Sequence, residues 1–344
     1  MIIAGFKNPG GQGTADKALF KLFLFFLLVF QFQQAFPDLP AYKFLKIYPR
    51  DQYSGQIQNW SILQDKRGII YVGNQGCLLE FDGVSWRRIE IPNNSVRGLA
   101  MDPLTGTIYV GGMGTFGVLD PGPGGKGELQ YRSLLTGLPE QERNVNLVVR
   151  IHTLDEAVYF RSKSHLIRKK EGLEILEKRE NNSLKGSFVC NGKLYIREHG
   201  VGLLRLQGDR LIPVTGGEQF ADKKIFMMAP YPGENILINT RNYGFFLYNE
   251  TNGATPFIPK DHNYISQNQL SRGIRLESGN YALGTKKGGL LIMDRAGNTW
   301  DIFSEKNGLP ENIIRQVYED MEGNIWLAHD WNITRIEYNS PISC

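Results

Sequence analysis

The chain has 344 residues, of which 41% are hydrophobic and 22% charged, and its 39 Gly and 16 Pro are typical of a globular protein with many turns. The formal net charge is only +4, and no basic stripe interleaved with aromatic residues occurs, so the composition argues against nucleic-acid binding. Cys77, Cys190 and Cys344 lack metal-ligand spacing, and a chain of this length needs no disulfide framework to stabilise its core. We expect Cys77 and Cys190 to be small core residues.

The first 36 residues differ in pattern from the rest of the chain. Lys17 and Lys21 precede or interrupt an apolar segment whose uncharged part is the nine residues 22–30. This length is too short to span a bilayer but fits the hydrophobic region of a signal peptide. We predict that residues 1–36 are a signal peptide or membrane-targeting segment, cleaved near Ala35, and that the protein is exported to a periplasmic or other extracytoplasmic space. A buried core helix is the alternative.

Short apolar runs with an aromatic or aliphatic centre recur seven times after this segment. They read IIYVG, TIYVG, AVYFR, KLYIR, NILIN, NYALG and NIWLA, with centres at Tyr71, Tyr109, Tyr159, Tyr195, Leu237, Ala282 and Trp326. The centres are 38, 50, 36, 42, 45 and 44 residues apart. A period of roughly 40–45 residues with several short strands per unit is typical of β-propellers. We therefore predict an all-β, seven-bladed propeller of four-stranded antiparallel blades over residues 37–344.

The connections between these runs also repeat. The turns DKRG, DPLTG, ESGN and DMEG lie between the first two strands of different units, where Asp can bond nearby backbone and Gly accepts positive φ. Gly-Leu-Pro occurs at residues 137–139 and 308–310, after an outer strand and before an inner one. Because proline interrupts a strand ladder, we expect both segments to carry the chain from one blade to the next.

The seventh unit contains three strands and then NSPISC. Residues 44–48 near the other end read as an outer strand with no blade before it. We predict that residues 44–48 supply the fourth strand of the last blade, because pairing the two ends removes exposed sheet edges. The alternative is that residues 341–344 begin that strand and that the chain has been truncated.

The mouth of the central channel is the expected ligand site, since loops from all blades surround it. In the predicted register Arg97, Arg272 and Arg315 occupy equivalent positions near the start of innermost strands, and Trp60 occupies the matching position in the first blade. Loops between second and third strands add a polar and aromatic set to the same face: Asn74, Gln75, Met113, His199, Arg241, Asn242, Tyr243, Lys286, Lys287, His329, Asp330 and Trp331.

Charged, amide and aromatic side chains in one concave site suit a sugar or an acidic sugar. The predicted ligand-binding residues are Arg97, Arg272, Arg315, Trp60, Arg241, Tyr243, His329, Asp330 and Trp331. The alternative is structural: the arginines bond carbonyl groups across the channel, and Trp60 and Trp326 pack between blades.

Motifs of catalysis and cofactor binding are weak or missing. Gly112, Gly114 and Gly117 have the spacing of a dinucleotide fingerprint, but the following residues cannot form the required helix, so we predict a hairpin turn. The five histidines are scattered without metal-ligand spacing, and we expect no metal or cofactor. His329 and Asp330 are the adjacent pair best placed for acid–base chemistry.

The stretch GLPENIIRQVYEDMEGNIWLAHDWNITRIEY, residues 308–338, resembles the two-component-regulator propeller repeat. The stretch NWSILQDKRGIIYVGNQGCLLEFDGVSW, residues 59–86, is similar to the first blade of such sensors. The resemblance is specific in the first and last blades, fair in the second and sixth, and poor in the third to fifth. It departs from the family pattern at residues 329–331, within the sequence HDWN that replaces a Gly-containing turn.

The resemblance implies the periplasmic sensor region of a hybrid two-component histidine kinase, in which members with known ligands detect oligosaccharides. It also implies that the chain is the N-terminal fragment of a larger receptor, a homodimer tethered to the inner membrane, with a Tyr-rich immunoglobulin-like domain and kinase modules downstream. We therefore expect a ligand-sensing module without enzymatic activity of its own. The alternatives are a propeller lyase or hydrolase acting on a glycan, and a scaffold that binds another protein.

Overall fold

A computed structural model describes residues 43–122, 128–181 and 183–339. In these residues 28 strands form seven four-stranded antiparallel sheets, which are the blades of a propeller. The predicted signal segment and the alternative closing strand at residues 341–344 lie outside the described residues, and so does Cys344. No helix in the described part of the chain is long and apolar enough to cross a membrane.

The strands of each blade follow one another in sequence from the innermost to the outermost, with a single exception in blade 7. Blades 1 to 3 comprise β2 (Asn59–Gln64), β3 (Ile70–Asn74), β4 (Leu78–Phe81) and β5 (Trp86–Ile89); β6 (Val96–Met101), β7 (Ile108–Gly112), β8 (Thr115–Pro121) and β9 (Leu129–Ser133); and β10 (Arg150–Leu154), β11 (Ala157–Arg161), β12 (His165–Lys169) and β13 (Leu173–Lys178). Blades 4 and 5 comprise β14 (Leu184–Cys190), β15 (Lys193–Glu198), β16 (Gly202–Gln207) and β17 (Arg210–Pro213); and β18 (Ile225–Tyr231), β19 (Asn235–Thr240), β20 (Gly244–Asn249) and β21 (Gly253–Phe257). Blades 6 and 7 comprise β22 (Leu270–Arg275), β23 (Tyr281–Thr285), β24 (Leu290–Met293) and β25 (Thr299–Phe303); and β26 (Gln316–Glu319), β27 (Ile325–Ala328), β28 (Asn332–Ile336) and β1 (Leu45–Pro49).

Two short α-helices in the described residues join blades: α1 (Arg50–Tyr53) leads from β1 to blade 1, and α2 (His262–Asn268) leads from blade 5 to blade 6. The innermost strands pack in the order β2, β6, β10, β14, β18, β22 and β26, and β26 returns to β2. The strands therefore form a closed ring around a central channel. This arrangement confirms the prediction of a seven-bladed, all-β propeller.

The seven repeated centres all lie on the second strands of the blades and are all buried. The residues directly before and after each centre are buried as well, and successive strand residues point to opposite faces, so each second strand has both faces covered. Cys77 and Cys190 are buried free cysteines, which confirms their predicted place in the core. Burial of these apolar runs between sheets is the main stabilising contribution to the ring.

Turn chemistry follows the sequence pattern. The Asp65 carboxylate accepts hydrogen bonds from the backbone N–H groups of Arg67 (2.9 Å) and Ile69 (3.1 Å). The Asp320 carboxylate accepts those of Glu322 (3.1 Å) and Asn324 (2.7 Å) in the same way. These bonds fix tight turns between the first two strands of a blade. Gly114, at φ 62°, lies in the turn between β7 and β8, which confirms a hairpin in place of a dinucleotide-binding motif.

The N-terminal strand closes the ring. β1 pairs antiparallel with β28, from Leu45 opposite Ile336 to Pro49 opposite Asn332, and the predicted strand differs from it by one residue at each end. The Tyr48 ring of β1 stacks on Trp326 of blade 7 at 5.7 Å and meets Phe81 of blade 1 edge-on at 5.1 Å. The closing strand therefore completes one sheet and also packs against the next blade.

Candidate functional site

The loops between second and third strands and the blade-to-blade connections lie at the end of the ring where the innermost strands begin. We call this end the loop face. The innermost strands of blades 1, 2, 4, 5 and 6 carry a register shift near their first residues, which leaves one residue outside the regular pairing. Such a bulge changes the direction of a side chain at the start of the strand.

The register places Trp60, Arg97 and Arg315 at matching positions, one residue before the partners of Gly73, Gly111 and Ala328. Arg272 differs, because it is itself the residue opposite Gly284. The prediction that Arg272 is equivalent to Arg97 and Arg315 is therefore wrong by one residue. The same register position in blade 3 holds Arg150, opposite Arg161.

Trp60, Arg97 and Arg315 form a cluster on the side of the mouth made by blades 1, 2 and 7. The guanidinium carbon of Arg97 lies 3.6 Å from the centre of the Trp60 indole, and that of Arg315 lies 4.9 Å from it. Arg315 also forms a two-point ion pair with the Asp330 carboxylate, at 2.7 and 2.9 Å. The Arg97 guanidinium therefore covers the Trp60 ring through a cation–π contact, and the Arg315 guanidinium already has Asp330 as its anionic partner.

The opposite side of the mouth holds a cavity of about 500 Å³ that is lined by blades 3 to 6 and their connections. Its lining includes seven basic side chains and His199, with Asp222 as the one carboxylate among the described lining residues. The basic residues are Arg150, Arg161, Lys163, Lys185, Arg197, Lys224 and Arg272. We call this group the basic cluster. None of its members has a carboxylate within 4.0 Å among the ion pairs of the described residues.

Burial and mutual repulsion act together on the basic cluster. Desolvation and the neighbouring Arg241, Arg272, Lys286 and Arg197 lower the pKa of Lys224 to about 8. Desolvation, Arg150, Arg161 and Arg315 lower the pKa of Arg272 well below its ordinary value. Positive charges that oppose one another in a partly desolvated cleft create a strong field for anions.

Arg241 and Tyr243 lie outside the basic cavity. They line a separate cavity of about 430 Å³ between blades 5 and 6, together with Phe245, Phe257 and residues of α2. The guanidinium of Arg241 lies 5.5 Å from the Phe226 ring, and the ammonium of Lys224 lies 5.1 Å from the same ring. Phe226, which lines the basic cavity, is therefore close to Arg241 of the neighbouring cavity.

Other predicted residues have structural contacts. Asn74 is buried and donates to the backbone oxygen of Gln56 at 2.7 Å and to the side-chain oxygen of Asn59 at 2.9 Å. Trp331 is half exposed at the rim, where the guanidinium of Arg50 lies 5.2 Å from its ring. These residues hold the connection between blades 7 and 1.

His329 is fully buried and does not line the mouth. Its Nδ1 lies 2.8 Å from the Ile313 carbonyl oxygen, and its Nε2 lies 3.1 Å from the Thr334 hydroxyl. The neutral ring satisfies both contacts if Nδ1 donates and Nε2 accepts. Burial lowers the pKa of His329 to about 4, so the ring is neutral at neutral pH. His329 and Asp330 are therefore not positioned as a solvent-facing acid–base pair.

The buried His329 predicts a pH-dependent stability. Its pKa is lower in the folded than in the unfolded chain, so the unfolded chain binds more protons between about pH 6.5 and 4. We expect the contribution of His329 to the free energy of unfolding to be complete above pH 6.5 and to fall by about 3 kcal/mol as the pH drops to 4. Urea unfolding of the wild type and of His329→Asn, measured across this range, tests the expectation. The difference between the two should shrink on acidification, and a constant difference would contradict it.

Sequence reasoning missed Arg150, Arg161 and Arg197. A signal was present, because the residue two places after each repeated centre is Gly73, Gly111, Gly284 or Ala328 in four blades and Arg161 or Arg197 in blades 3 and 4. A long cation therefore replaces a small residue in two of the blades where the repeat is poorest. This exception to the pattern marks the basic side of the mouth.

Comparison with known proteins gives a local match in sequence and a wide match in fold. Residues 308–331 match the family model of the two component regulator propeller, and no curated protein matches the chain. An extracellular domain assigned to a hybrid two component system of B. thetaiotaomicron matches 87% of this chain with a TM-score of 0.65 and 16% identity. An extracellular domain assigned to a one component system of the same organism matches 87% with a TM-score of 0.64 and 19% identity. This chain spans only 42% and 40% of those two domains, respectively.

Enzymes also share the fold. Virginiamycin B lyase from Staphylococcus aureus matches 85% of this chain and 98% of its own, with a TM-score of 0.62 and 10% identity. At such identities the structural matches show the fold alone. The family match covers the Gly-Leu-Pro connection and the first two strands of blade 7. The last blade of this propeller therefore carries the two component regulator propeller repeat that the sequence resemblance indicated.

Proposed function

We propose that the chain is the extracytoplasmic ligand-sensing propeller of a two-component signal-transduction receptor, and that it binds an oligosaccharide at the channel mouth. The observation that carries this proposal is the basic cavity of about 500 Å³ on the loop face. Clustered positive charges without carboxylate partners lower the stability of the folded chain, so they point to a binding role. The regulator repeat in blade 7 and the fold shared with extracellular domains of such systems support the sensory assignment.

In the complete receptor, homodimerisation and the downstream Tyr-rich immunoglobulin-like and kinase modules would couple binding to signalling. A ligand shifts a receptor equilibrium only through its different affinities for the two states. The propeller mouth therefore has to differ between the two receptor arrangements, in its shape or in the groups that cover it. An anchored receptor would place this mouth outside the cytoplasm, where oligosaccharides released from polysaccharides occur.

Glycan cleavage by this propeller has less support. The adjacent pair His329 and Asp330 is engaged, since the His329 ring is buried and Asp330 is paired with Arg315. Acid–base catalysis needs groups within hydrogen-bond reach of the bond that breaks. The fold shared with virginiamycin B lyase does not supply such groups, because function depends on the site rather than the fold.

Calorimetric titration of the purified chain with a panel of neutral and acidic oligosaccharides tests the proposal. We expect at least one saccharide to bind and to be recovered intact by mass spectrometry after prolonged incubation. Lys185→Ala should weaken binding, because Lys185 lines the basic cavity, whereas Arg210→Ala on the exposed outermost strand of blade 4 should not. No binding by any saccharide would contradict sensing, and a stable complex with another protein in its place would favour a scaffold. Cleavage of the saccharide would favour an enzyme.

A further inference from the structure

The basic cluster contains two kinds of arginine. Arg161 and Arg197 are buried and held by backbone oxygens: Arg161 donates to the Leu184 carbonyl at 3.2 Å, and Arg197 donates to the Phe220 carbonyl at 3.1 Å. Arg161 also donates to the Ser187 hydroxyl at 3.3 Å. These contacts bridge neighbouring blades. Some N–H groups of both arginines are therefore already used in hydrogen bonds that hold the blades together.

Arg150 and Arg272 have far fewer partners. Arg150 makes one long contact, 3.5 Å, to the carbonyl oxygen of the adjacent Val149. Arg272 donates to the carbonyl oxygen of the adjacent Ser271 at 3.1 Å, and its Nε is buried without a hydrogen-bond partner in the described structure. A guanidinium has five N–H donors, and burying one without a partner is costly. Most of the donors of these two arginines are therefore available to a ligand.

The two arginines approach the same space from different sides. Arg150 begins β10 in blade 3, and Arg272 lies in β22 of blade 6, and both line the basic cavity. Arg150 is close enough to lower the pKa of Arg272 by charge repulsion. Lys224, which is exposed, enters from the connection between blades 4 and 5. Three cations from three elements thus surround one opening.

Acidic groups on the protein do not balance this charge. Asp222 is the carboxylate of the described cavity lining, and its side chain is 81% exposed and lies 3.8 Å from Nδ1 of His199. On the other side of the mouth Asp330 already pairs with Arg315. An anion entering the cavity would therefore meet unneutralised cations on several sides.

We propose that the blade 3 to blade 6 side of the channel mouth binds a ligand with two or more oxyanion groups, with Arg150, Arg272 and Lys224 as the contacting residues. The inference rests on the proposed function, since it uses the same mouth, and it narrows the ligand to the acidic class. Carboxylate, sulfate and phosphate groups share the planar or tetrahedral oxygens that a guanidinium fork binds at two points. A cavity of about 500 Å³ is large enough for an acidic di- or trisaccharide and for small inorganic anions.

The test compares three probes by calorimetry: trigalacturonate, the neutral maltotriose and inorganic pyrophosphate. We expect trigalacturonate to bind the wild-type chain and maltotriose to bind at least 10-fold more weakly. Arg150→Gln and Arg272→Gln should each weaken trigalacturonate binding by about 10- to 100-fold, the range expected for the loss of charge-assisted hydrogen bonds. Arg210→Gln removes the same charge from an exposed position on β17 and should leave the affinity unchanged.

A second measurement separates a binding arginine from a structural one. The Arg272→Gln substitution removes a charge that neighbouring arginines repel, together with a buried Nε–H that has no acceptor. Without ligand, this variant should therefore have the same melting temperature as the wild type or a higher one. If Arg272 were structural, its substitution would lower the melting temperature. A folded Arg272→Gln chain with unchanged affinity for trigalacturonate would overturn the proposal.

The probes also separate this inference from the proposed function. Tight binding of pyrophosphate with no saccharide binding would support the anion site and contradict the oligosaccharide ligand. Equal binding of maltotriose and trigalacturonate would overturn the anion site and leave saccharide sensing intact. Binding of trigalacturonate that weakens with added salt, together with weak pyrophosphate binding, would support both. Absence of binding by all three probes would overturn the anion site.

Discussion

Trp326→Ala is expected to lower the free energy of unfolding by about 3–5 kcal/mol, the usual cost of removing a large buried aromatic side chain. Trp326 is only 2% exposed, and its ring stacks on Tyr48 at 5.7 Å. Its indole N–H also donates to the Asp320 carboxylate at 2.7 Å. The substitution therefore opens a cavity between blade 7, the closing strand and blade 1. Urea unfolding measures the loss as a shift of the transition midpoint.

Trp300 provides a matched control for Trp326. Its indole N–H also donates to an aspartate six residues earlier, Asp294, at 3.3 Å. Its side chain is 65% exposed, so its removal leaves no cavity. Trp300→Ala should change the free energy of unfolding by about 0.5 kcal/mol or less. Equal effects of the two substitutions would show that burial between blades does not cause the loss, and would contradict the prediction.

Removal of residues 1–49 is expected to destabilise the propeller by more than the Trp326 substitution does, because it removes the whole of β1. The deletion removes the outermost strand of blade 7 and exposes the edge of β28. It also removes Tyr48, which is 3% exposed in the folded chain, and so uncovers the Trp326 and Phe81 rings against which Tyr48 packs. Loss of the Tyr48 side chain alone should cost about 3 kcal/mol or more, and each lost ladder hydrogen bond about 1 kcal/mol. Thermal unfolding and size-exclusion chromatography should show a lower melting temperature and association through the open edge.

The control for this deletion is the chain that begins at Lys43, which keeps every described strand. We expect it to unfold at a much higher urea concentration than the chain that begins at Arg50. A synthetic peptide of residues 43–53 should restore stability to the shorter chain in a concentration-dependent way, because it can add the missing strand. Equal stability of the two chains without peptide would show that β1 does not close the ring.

Most of the fold could be predicted from the sequence because each blade is a local structure. Its four strands follow one another through short turns, and the turn residues repeat with the strands, as at Asp65 and Asp320. The closing strand was also predictable, since an unpaired outer strand before the first blade can complete the last blade, which otherwise has only three strands. In blade 7 the repeat pattern itself was strong enough to indicate the family.

The candidate site was less predictable because it combines residues from separate blades. Strand register aligns Arg272, opposite Gly284, with Arg150 and not with Arg97, and a one-residue difference in register has no reliable signal in a single strand sequence. Two loop residues, Arg241 and Tyr243, line the neighbouring cavity together with residues of α2, a helix from a separate blade connection. His329 follows directly after β27, yet its ring turns inward to the Ile313 carbonyl.

Periodicity and turn chemistry therefore specified the ring, its seven blades and the way it closes, since these depend on interactions between residues close in sequence or between the two chain ends. The convergence of Arg150, Arg272 and Lys224 on one opening depends on the closure and diameter of the ring, on strand register and on the path of a blade connection. Side chains more than 40 residues apart meet there across the channel, and their unneutralised charge arises only from that proximity.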